Sequence, residues 1–343
     1  MENKKRVIAA MSGGVDSSVV AAILKNRGYN VVGVFINMGK HSNSIDARKV
    51  AKILNIPFYI LNVQNEFKKR VVDYFIKENK KGNTPNPCVE CNRYIKFKFL
   101  MEKALQLKAD YVATGHYARI KKGLPVGRQE NYKLLTAKDT KKDQSYFLWT
   151  LKQNQLKKIL FPIGNYTKEE VRRLAKKIKL PVAEKRGSQD VCFTVPRQSF
   201  QAKAGPIITT EGEKKGKHKG LAFYTIGQRK GIEVEGVGPF YVVNKDFKKN
   251  ALIVGQSDFN EALFKKEMIV KNVNWLGGKP FSGKCKVKIR SMAKPVPARV
   301  MNYESRIKNC VKIIFNENQR AITSGQSAVF YSKDEVLGGG VIM

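Results

Sequence analysis

The stretch VIAAMSGGVDSSVVAAIL, Val7 to Leu24, joins a short apolar run to a second one through Ser-Gly-Gly-Val-Asp-Ser-Ser. Val7–Ala10 suits a strand buried on both faces, and Ser17–Arg27 suits a helix that stops near Gly28. Between them, Gly13 and Gly14 let backbone N–H groups turn toward an anion with no Cβ in the way. Ser12, Ser17 and Ser18 add hydroxyls, and the helix that follows aims its N-terminal dipole at the same point. A Walker loop would end in Gly-Lys-Ser/Thr, and that lysine is missing. Asp16 would repel phosphate unless it caps the helix or binds Mg²⁺.

Working outward, NVVGVFIN (Asn30 to Asn37), FYILNV (Phe58 to Val63) and ADYVATGHY (Ala109 to Tyr117) read as further strands. Helical patterns over Ile45–Leu54 and Glu66–Glu78 separate them, and Thr167–Leu180 adds a helix with a Thr167/Glu170 capping box. This alternation predicts an α/β fold with a doubly wound parallel sheet, whose ligands bind beyond the carboxyl ends of the strands. From about Gly205 the texture changes to short β-rich runs separated by turns. They predict a small β-rich central domain and then a β-barrel of about eighty residues. The expected boundaries are 1–204, 205–265 and 266–343. GLPVGRQENY, Gly123 to Tyr132, reads as a hairpin insertion without evident chemistry.

The 343 residues carry 65 Lys+Arg against 28 Asp+Glu, a net charge of +37, which points to a polyanionic partner and most naturally nucleic acid. No apolar run approaches the ~20 residues of a membrane span, and the N-terminus enters the first strand too soon for a signal peptide. A cytoplasmic protein is the expectation, with its five cysteines reduced. Cys285 and Cys310 sit in strand-like runs and read as buried structure. Cys88 and Cys91 end a loop held extended by two prolines, ahead of an aromatic-basic helix. Cys192 follows another loop. Cations favour the reactive thiolate, with Arg93 beside Cys91 and Lys185 and Arg186 upstream of Cys192. His41 and His218 lie in basic stretches and read as solvated, while Trp149 and Trp275 read as packing residues.

The glycine–serine turn resembles the PP-loop of the ATP pyrophosphatase superfamily, whose members transfer the α-phosphoryl end of ATP and release pyrophosphate. MSGGVDSS, TPNPCVECNRYIKF, ATGHYAR, KDQSYFLWTL, SQDVCF, YTIGQRKG and GQSAVFY…LGGG then follow in order the motifs of the tRNA-specific 2-thiouridylases. That resemblance implies an adenine nucleotide alpha hydrolase-like PP-loop domain, a small central domain and a C-terminal barrel. It implies ATP-dependent thiolation of the wobble uridine in tRNAs for Lys, Glu and Gln. ATP would adenylate the uracil C2 oxygen with Mg²⁺ offsetting charge, and attack by sulfur would expel AMP.

By the same resemblance, Cys91 is the nucleophile and Cys192 the persulfide carrier, the two closing a transient disulfide. ATP would be held by Ala10, Met11, Ser12, Gly13, Gly14, Val15, Asp16, Ser17, Ile36 and Gly115. Asn86, Pro87 and Cys88 would line the target-base pocket. His116, Lys142, Asp143, Gln144, Arg290, Ser291 and Gln326 would contact the tRNA anticodon stem-loop. The implied partners are a cysteine desulfurase or sulfur-relay protein and a cellular thiol reductant, with no permanent cofactor. Two departures stand out: many family members have Asp where this chain has Cys88, and the segment after Ile36 is short. Cys88, Cys91 and Cys192 also compose an alternative, three ligands for an iron–sulfur cluster as in another class of PP-loop thiolase. A basic RNA-binding protein with a vestigial nucleotide site and a small-molecule PP-loop ligase are further readings. The first leaves the intact glycine–serine turn unexplained, and the second leaves the charge and the β-rich third unexplained.

Overall fold

The computed structural model describes residues 4–39, 42–125, 130–185, 192–234, 238–257, 260–304, 307 and 309–343. His41, Arg186 and the tip of the 123–132 segment lie outside the described residues. The chain begins with β1 (Arg6–Ala10), α1 (Val15–Asn26), β2 (Asn30–Asn37), α2 (Ile45–Ile53) and β3 (Phe58–Asn62). With β4 (Tyr111–Ala113) and β7 (Ile159–Leu160) these strands form one parallel sheet in the order β3-β2-β1-β4-β7. Alternation along β1 explains the two-sided burial. Val7 and Ala9 pack with α1 and α2, whereas Ile8 packs on the opposite face with Leu100 and Ala104.

Two long helices follow β3, the second packing Leu100 and Ala104 on the Ile8 face of the sheet. α3 (residues 64–80) carries a π turn at Lys68–Val72, and α4 (residues 87–106) carries another at Cys91–Lys96. This corrects the sequence reading of Cys88 and Cys91 as loop residues, because α4 already starts at Pro87. Proline is well suited to that first helical position, where its missing N–H would have no partner anyway. Further on, α5 (Lys168–Lys177) keeps the expected capping box, Glu170 N donating to Thr167 Oγ1 at 3.2 Å and Thr167 N to Glu170 Oε2 at 2.6 Å.

The central domain is a four-stranded sheet in the order β10-β11-β8-β9, from β8 (Gly205–Thr209), β9 (Lys214–His218), β10 (Tyr241–Asp246) and β11 (Ala251–Gly255). His218 is not solvated as its basic surroundings suggest. It is 1% exposed, with Nε2 2.9 Å from Asn250 O and Nδ1 accepting from Gly220 N at 3.0 Å. Those two bonds satisfy both ring nitrogens, which is what lets a polar ring be buried.

β12 (Phe264–Trp275), β13 (Gly283–Lys288), β14 (Val296–Asn302), β15 (Val311–Arg320), β16 (Ser327–Ser332) and β17 (Glu335–Ile342) close a six-stranded barrel, with β12 pairing both β15 and β17. The hairpin β5 (Arg119–Lys122) and β6 (Tyr132–Leu135) leaves the first domain and adds to the barrel, Leu134 opposite Val336 and Leu135 opposite Glu335. Trp149 sits at the same junction, 2% exposed, its Nε1 donating to Ser327 Oγ at 3.1 Å. Asn274 Nδ2 donates to the carbonyls of Trp149 at 2.7 Å and Leu151 at 2.9 Å. A Cβ on Gly339 would lie 2.7 Å from the Trp149 ring, so the barrel is fitted to the indole. Trp149→Ala should cost about 3–5 kcal/mol in urea unfolding, as for other buried aromatic truncations. A loss under about 1 kcal/mol would show that barrel docking does not rest on this ring.

Candidate functional site

The glycine–serine turn lies at the carboxyl end of β1, at the mouth of the sheet. Gly13 has φ +76°, and a Cβ there would stand 3.2 Å from Asp46 Cβ and 3.3 Å from Ala47 N, so the position requires glycine. Ser17 Oγ accepts from Ser12 N at 3.1 Å and donates to Gly14 O at 3.1 Å, and Ser18 Oγ donates to Gly14 O at 2.8 Å. These bonds hold the turn's shape. The N-cap of α1, Gly14, makes no side-chain cap bond, which leaves the first N–H groups of the helix directed at the mouth. Gly115 lets the Thr114–Tyr117 loop approach, since a Cβ there would be 3.0 Å from Ser17 N.

Lysines arrive from elsewhere. Lys168 Nζ donates to Asp16 Oδ1 at 2.6 Å, and Tyr117 Oη donates to the same oxygen at 2.8 Å. Asp16 is therefore neither a cap nor open to an ion without displacing a cation. Burial, then the Asp16 charge, pushes the Tyr117 hydroxyl above the ordinary phenol range and keeps it a donor. Lys185 Nζ reaches Asp46 Oδ2 at 2.7 Å and Gly13 O at 3.4 Å, and its hydrogen bond holds the Asp46 carboxyl below its usual range. No local motif could announce these two lysines, which lie more than a hundred residues along the chain.

Cys91 is 5% exposed and packs with Val63, Phe67, Val71 and Ile95, its Sγ 3.9 Å from Met38 Sδ. Ile36, at the end of β2, packs against both this cluster and the sheet core. Phe193 joins the cluster too, edge-on to Phe67 at 5.7 Å and to Phe75 at 5.6 Å. The ring thus anchors its neighbour Cys192, which is exposed. Cys88 is exposed at the surface as well, although atoms packed around its sulfur raise the thiol above its usual range. The three thiols lie close enough that the charge on Cys192 would raise both other thiols. Among the described residues no three His, Cys, Asp or Glu side chains converge as a metal-holding group, and the iron–sulfur alternative is not favoured.

Burial pushes the Cys91 thiol up to about 12, with Lys96 opposing. Lys96 replaces Arg93 as the cation that matters. Arg93 is exposed and stacks on Tyr94 at 4.9 Å, whereas the π turn brings residue i+5 back onto the face of Cys91. Asn92 Nδ2 donates to Phe147 O at 3.1 Å, tying the thiol helix to the Lys142–Phe147 segment.

Several of the residues expected at the base pocket and at tRNA are engaged within the protein. Asn86 stands at the N-cap position of α4 without a side-chain cap bond, Pro87 is buried, and Asn86 is a hydrogen-bond neighbour of the buried Tyr146, whose hydroxyl donates to Ser327 O at 2.8 Å. Gln326 Nε2 donates to Thr84 O at 2.8 Å, and Thr84 N donates to Ser324 O at 2.8 Å. Arg290 Nη2 donates to Ile226 O at 2.8 Å, Thr323 Oγ1 at 3.0 Å and Ala321 O at 3.1 Å. His116 is buried, bonded through Nδ1 to Thr114 Oγ1 at 2.8 Å and stacked on Phe97, and burial holds its ring neutral. Gln144 Oε1 accepts from Tyr117 N at 2.9 Å, and Asp143 organises its own turn through Ala137 N at 2.9 Å and Ser145 Oγ at 2.8 Å. Lys142 is exposed and Ser291 half-buried.

Comparison with known proteins agrees with this architecture. Residues 5–196 match the tRNA methyl transferase HUP domain, 197–256 the tRNA methyl transferase PRC-barrel domain and 265–342 the aminomethyltransferase beta-barrel domain. The tRNA-specific 2-thiouridylase MnmA of Carboxydothermus hydrogenoformans is 43% identical over 99% of this chain and 98% of its own. That of Clostridioides difficile is 43% identical over 98% of each chain. The solved U34-tRNA thiolase NcsA from Methanococcus maripaludis, with its [4Fe-4S] cluster, is 20% identical over 55% of this chain and 62% of its own. Its TM-score of 0.36 is too low to carry an argument. No helix among the described residues is long and apolar enough to cross a membrane.

In the free protein Cys91 should react with iodoacetamide far more slowly than Cys192 at pH 7.5, because only the thiolate attacks. Its rate should climb about tenfold per pH unit toward its thiol pKa of about 12. Equal labelling of both thiols at pH 7.5, read by peptide mass spectrometry, would contradict the buried placement.

Proposed function

The chain belongs to the family of tRNA-specific 2-thiouridylases, which are tRNA sulfurtransferases, and we propose that it thiolates the wobble uridine of tRNAs for Lys, Glu and Gln. The observation that carries this reading is the anchoring of Cys192 beside Cys91 through Phe193, while Lys185, seven residues earlier, touches the nucleotide turn at Gly13. Nucleotide and sulfur chemistry would then share one mouth. Residues 1–204 would supply it, with the central domain (205–265) and the barrel (266–343) closing over it.

ATP is the co-substrate of this proposal. Its β- and γ-phosphates would occupy the free N–H groups at the start of α1, held by Ala10 to Ser17, with Gly115 and Ile36 bounding the nucleoside. Lys185 would transfer from Asp46 to the pyrophosphate, supplying the charge that a Walker loop carries internally. Mg²⁺ would accompany the phosphates and offset their charge. The uracil C2 oxygen attacks the α-phosphorus, pyrophosphate leaves, and the oxygen becomes part of a good leaving group, AMP. The persulfide on Cys192 delivers sulfur as Cys91 attacks its Sγ, forming the Cys91–Cys192 disulfide and releasing hydrosulfide. Hydrosulfide adds at C2 and AMP departs. A wobble base is unstacked, so it can enter a pocket formed by Asn86, Pro87 and Cys88. Lys142 and Ser291 would meet the anticodon arm first, joined by His116, Asp143, Gln144, Arg290 and Gln326 as the complex closes. The high positive charge would supply salt-sensitive affinity for the phosphates.

Protein, ATP, Mg²⁺, a cysteine desulfurase with cysteine and tRNA for Lys should together yield 2-thiouridine, read by nucleoside mass spectrometry. Cys192→Ala should abolish the product, and 2-thiouridine surviving in that variant would refute the relay. Lys185→Met should raise KM for ATP about tenfold or more, the cost of a charge-assisted hydrogen bond. An unchanged KM would leave Lys185 with Asp46 alone.

A further inference from the structure

The relay above uses two thiols and gives the third, Cys88, only a place in the proposed base pocket. Cys88 precedes Cys91 by three residues in the opening turns of α4, a spacing that puts both side chains on one helix face with Cβ atoms about 5–6 Å apart. A modest local adjustment of such a pair reaches disulfide geometry, as in Cys-X-X-Cys redox motifs. The three sulfurs also differ in access. Cys91 is buried, whereas Cys88 and Cys192 are exposed. Cys192 is the thiol that an incoming sulfur donor must reach, so a disulfide that holds it blocks the next cycle.

Building on the proposed relay, we propose that Cys88 resets the enzyme: its thiolate attacks Sγ of Cys91 in the Cys91–Cys192 disulfide, forming Cys88–Cys91 and expelling Cys192 as a free thiolate. One S–S bond forms as another breaks, with no net oxidation, and the proton lost by Cys88 is recovered by Cys192 or solvent. Sulfur transfer has already oxidised two thiols by two electrons while reducing the persulfide sulfur to hydrosulfide. A dithiol reductant of the thioredoxin class then repays those electrons at the exposed Cys88 sulfur, with buried Cys91 as the leaving thiol. Cys192 is therefore reloadable before the reductant arrives. Reloading and reduction become parallel rather than sequential.

The test is a single turnover of persulfide-loaded full-length enzyme with ATP, Mg²⁺ and tRNA in the absence of reductant. The reaction is quenched in acid with N-ethylmaleimide and mapped by peptide mass spectrometry. Wild type should show Cys88 linked to Cys91 and Cys192 labelled. In Cys88→Ser and Cys88→Asp, enzyme that has completed its turnover should hold Cys91–Cys192 with no labelled Cys192, and the steady-state rate with a thioredoxin-type dithiol should fall several-fold relative to each variant's own single-turnover rate. Wild type that stops at Cys91–Cys192 with Cys88 labelled would overturn the inference while leaving the relay intact. An iron–sulfur chromophore in anaerobically purified wild type would overturn it as well, because the three thiols would then be ligands. Failure of the relay itself reads differently: wild type would form no 2-thiouridine.

Discussion

The loop from Gly82 to Pro87 cannot satisfy its own backbone, and the rest of the site follows from that. Pro85 and Pro87 contribute no N–H donors and hold the chain extended, so its remaining polar groups need partners from elsewhere. The barrel supplies them to Thr84 on both sides, through Ser324 O and Gln326 Nε2. Gly325, at φ +90°, comes so close that an added Cβ would lie 2.9 Å from Thr84 N. Thr84 Oγ1 also lies 3.4 Å from Thr225 Oγ1 of the central domain. A loop that starts the thiol helix is thereby held by all three domains. The barrel is thus part of the candidate site's scaffold.

The nucleotide side obeys the same logic of distant supply. A lysine inside the turn would serve phosphate permanently, whereas Lys185 and Lys168 come from other segments and are each paired with a carboxylate. The charge is held nearby without being fixed in the turn, as the proposed hand-over to phosphate would require.

What could be read from the sequence was whatever depends on neighbours in the chain. The strand–turn–helix of Val7 to Leu24, the Thr167 capping box and the switch to short β runs near Gly205 all rest on local pattern, and the three-part architecture followed from them. What escaped was set by tertiary contact. His218 is buried because Asn250 and Gly220 reach it, and neither is visible in a run of lysines. Lys96 replaced Arg93 because a π turn changes the period, which a 3.6-residue pattern cannot reveal. Arg290 and Gln326 stood out in their motifs, but which atoms they hold in the free protein depends on how the domains dock.

The paired π turns also bear on how this segment can change over evolutionary time. α3 and α4 touch where each carries its wide turn, at Lys68–Val72 and Cys91–Lys96. A π turn holds one residue more than a regular turn would. Removing one residue between Cys91 and Lys96 would close the wide turn to ordinary helix and leave the two as an i, i+4 pair, still on one face. The extra residue is absorbed inside the turn, so the helix on either side keeps its phase and Phe97 and Leu100 keep their place in the core. The chain here can lose or gain a residue at the wide turn without turning its cysteines away.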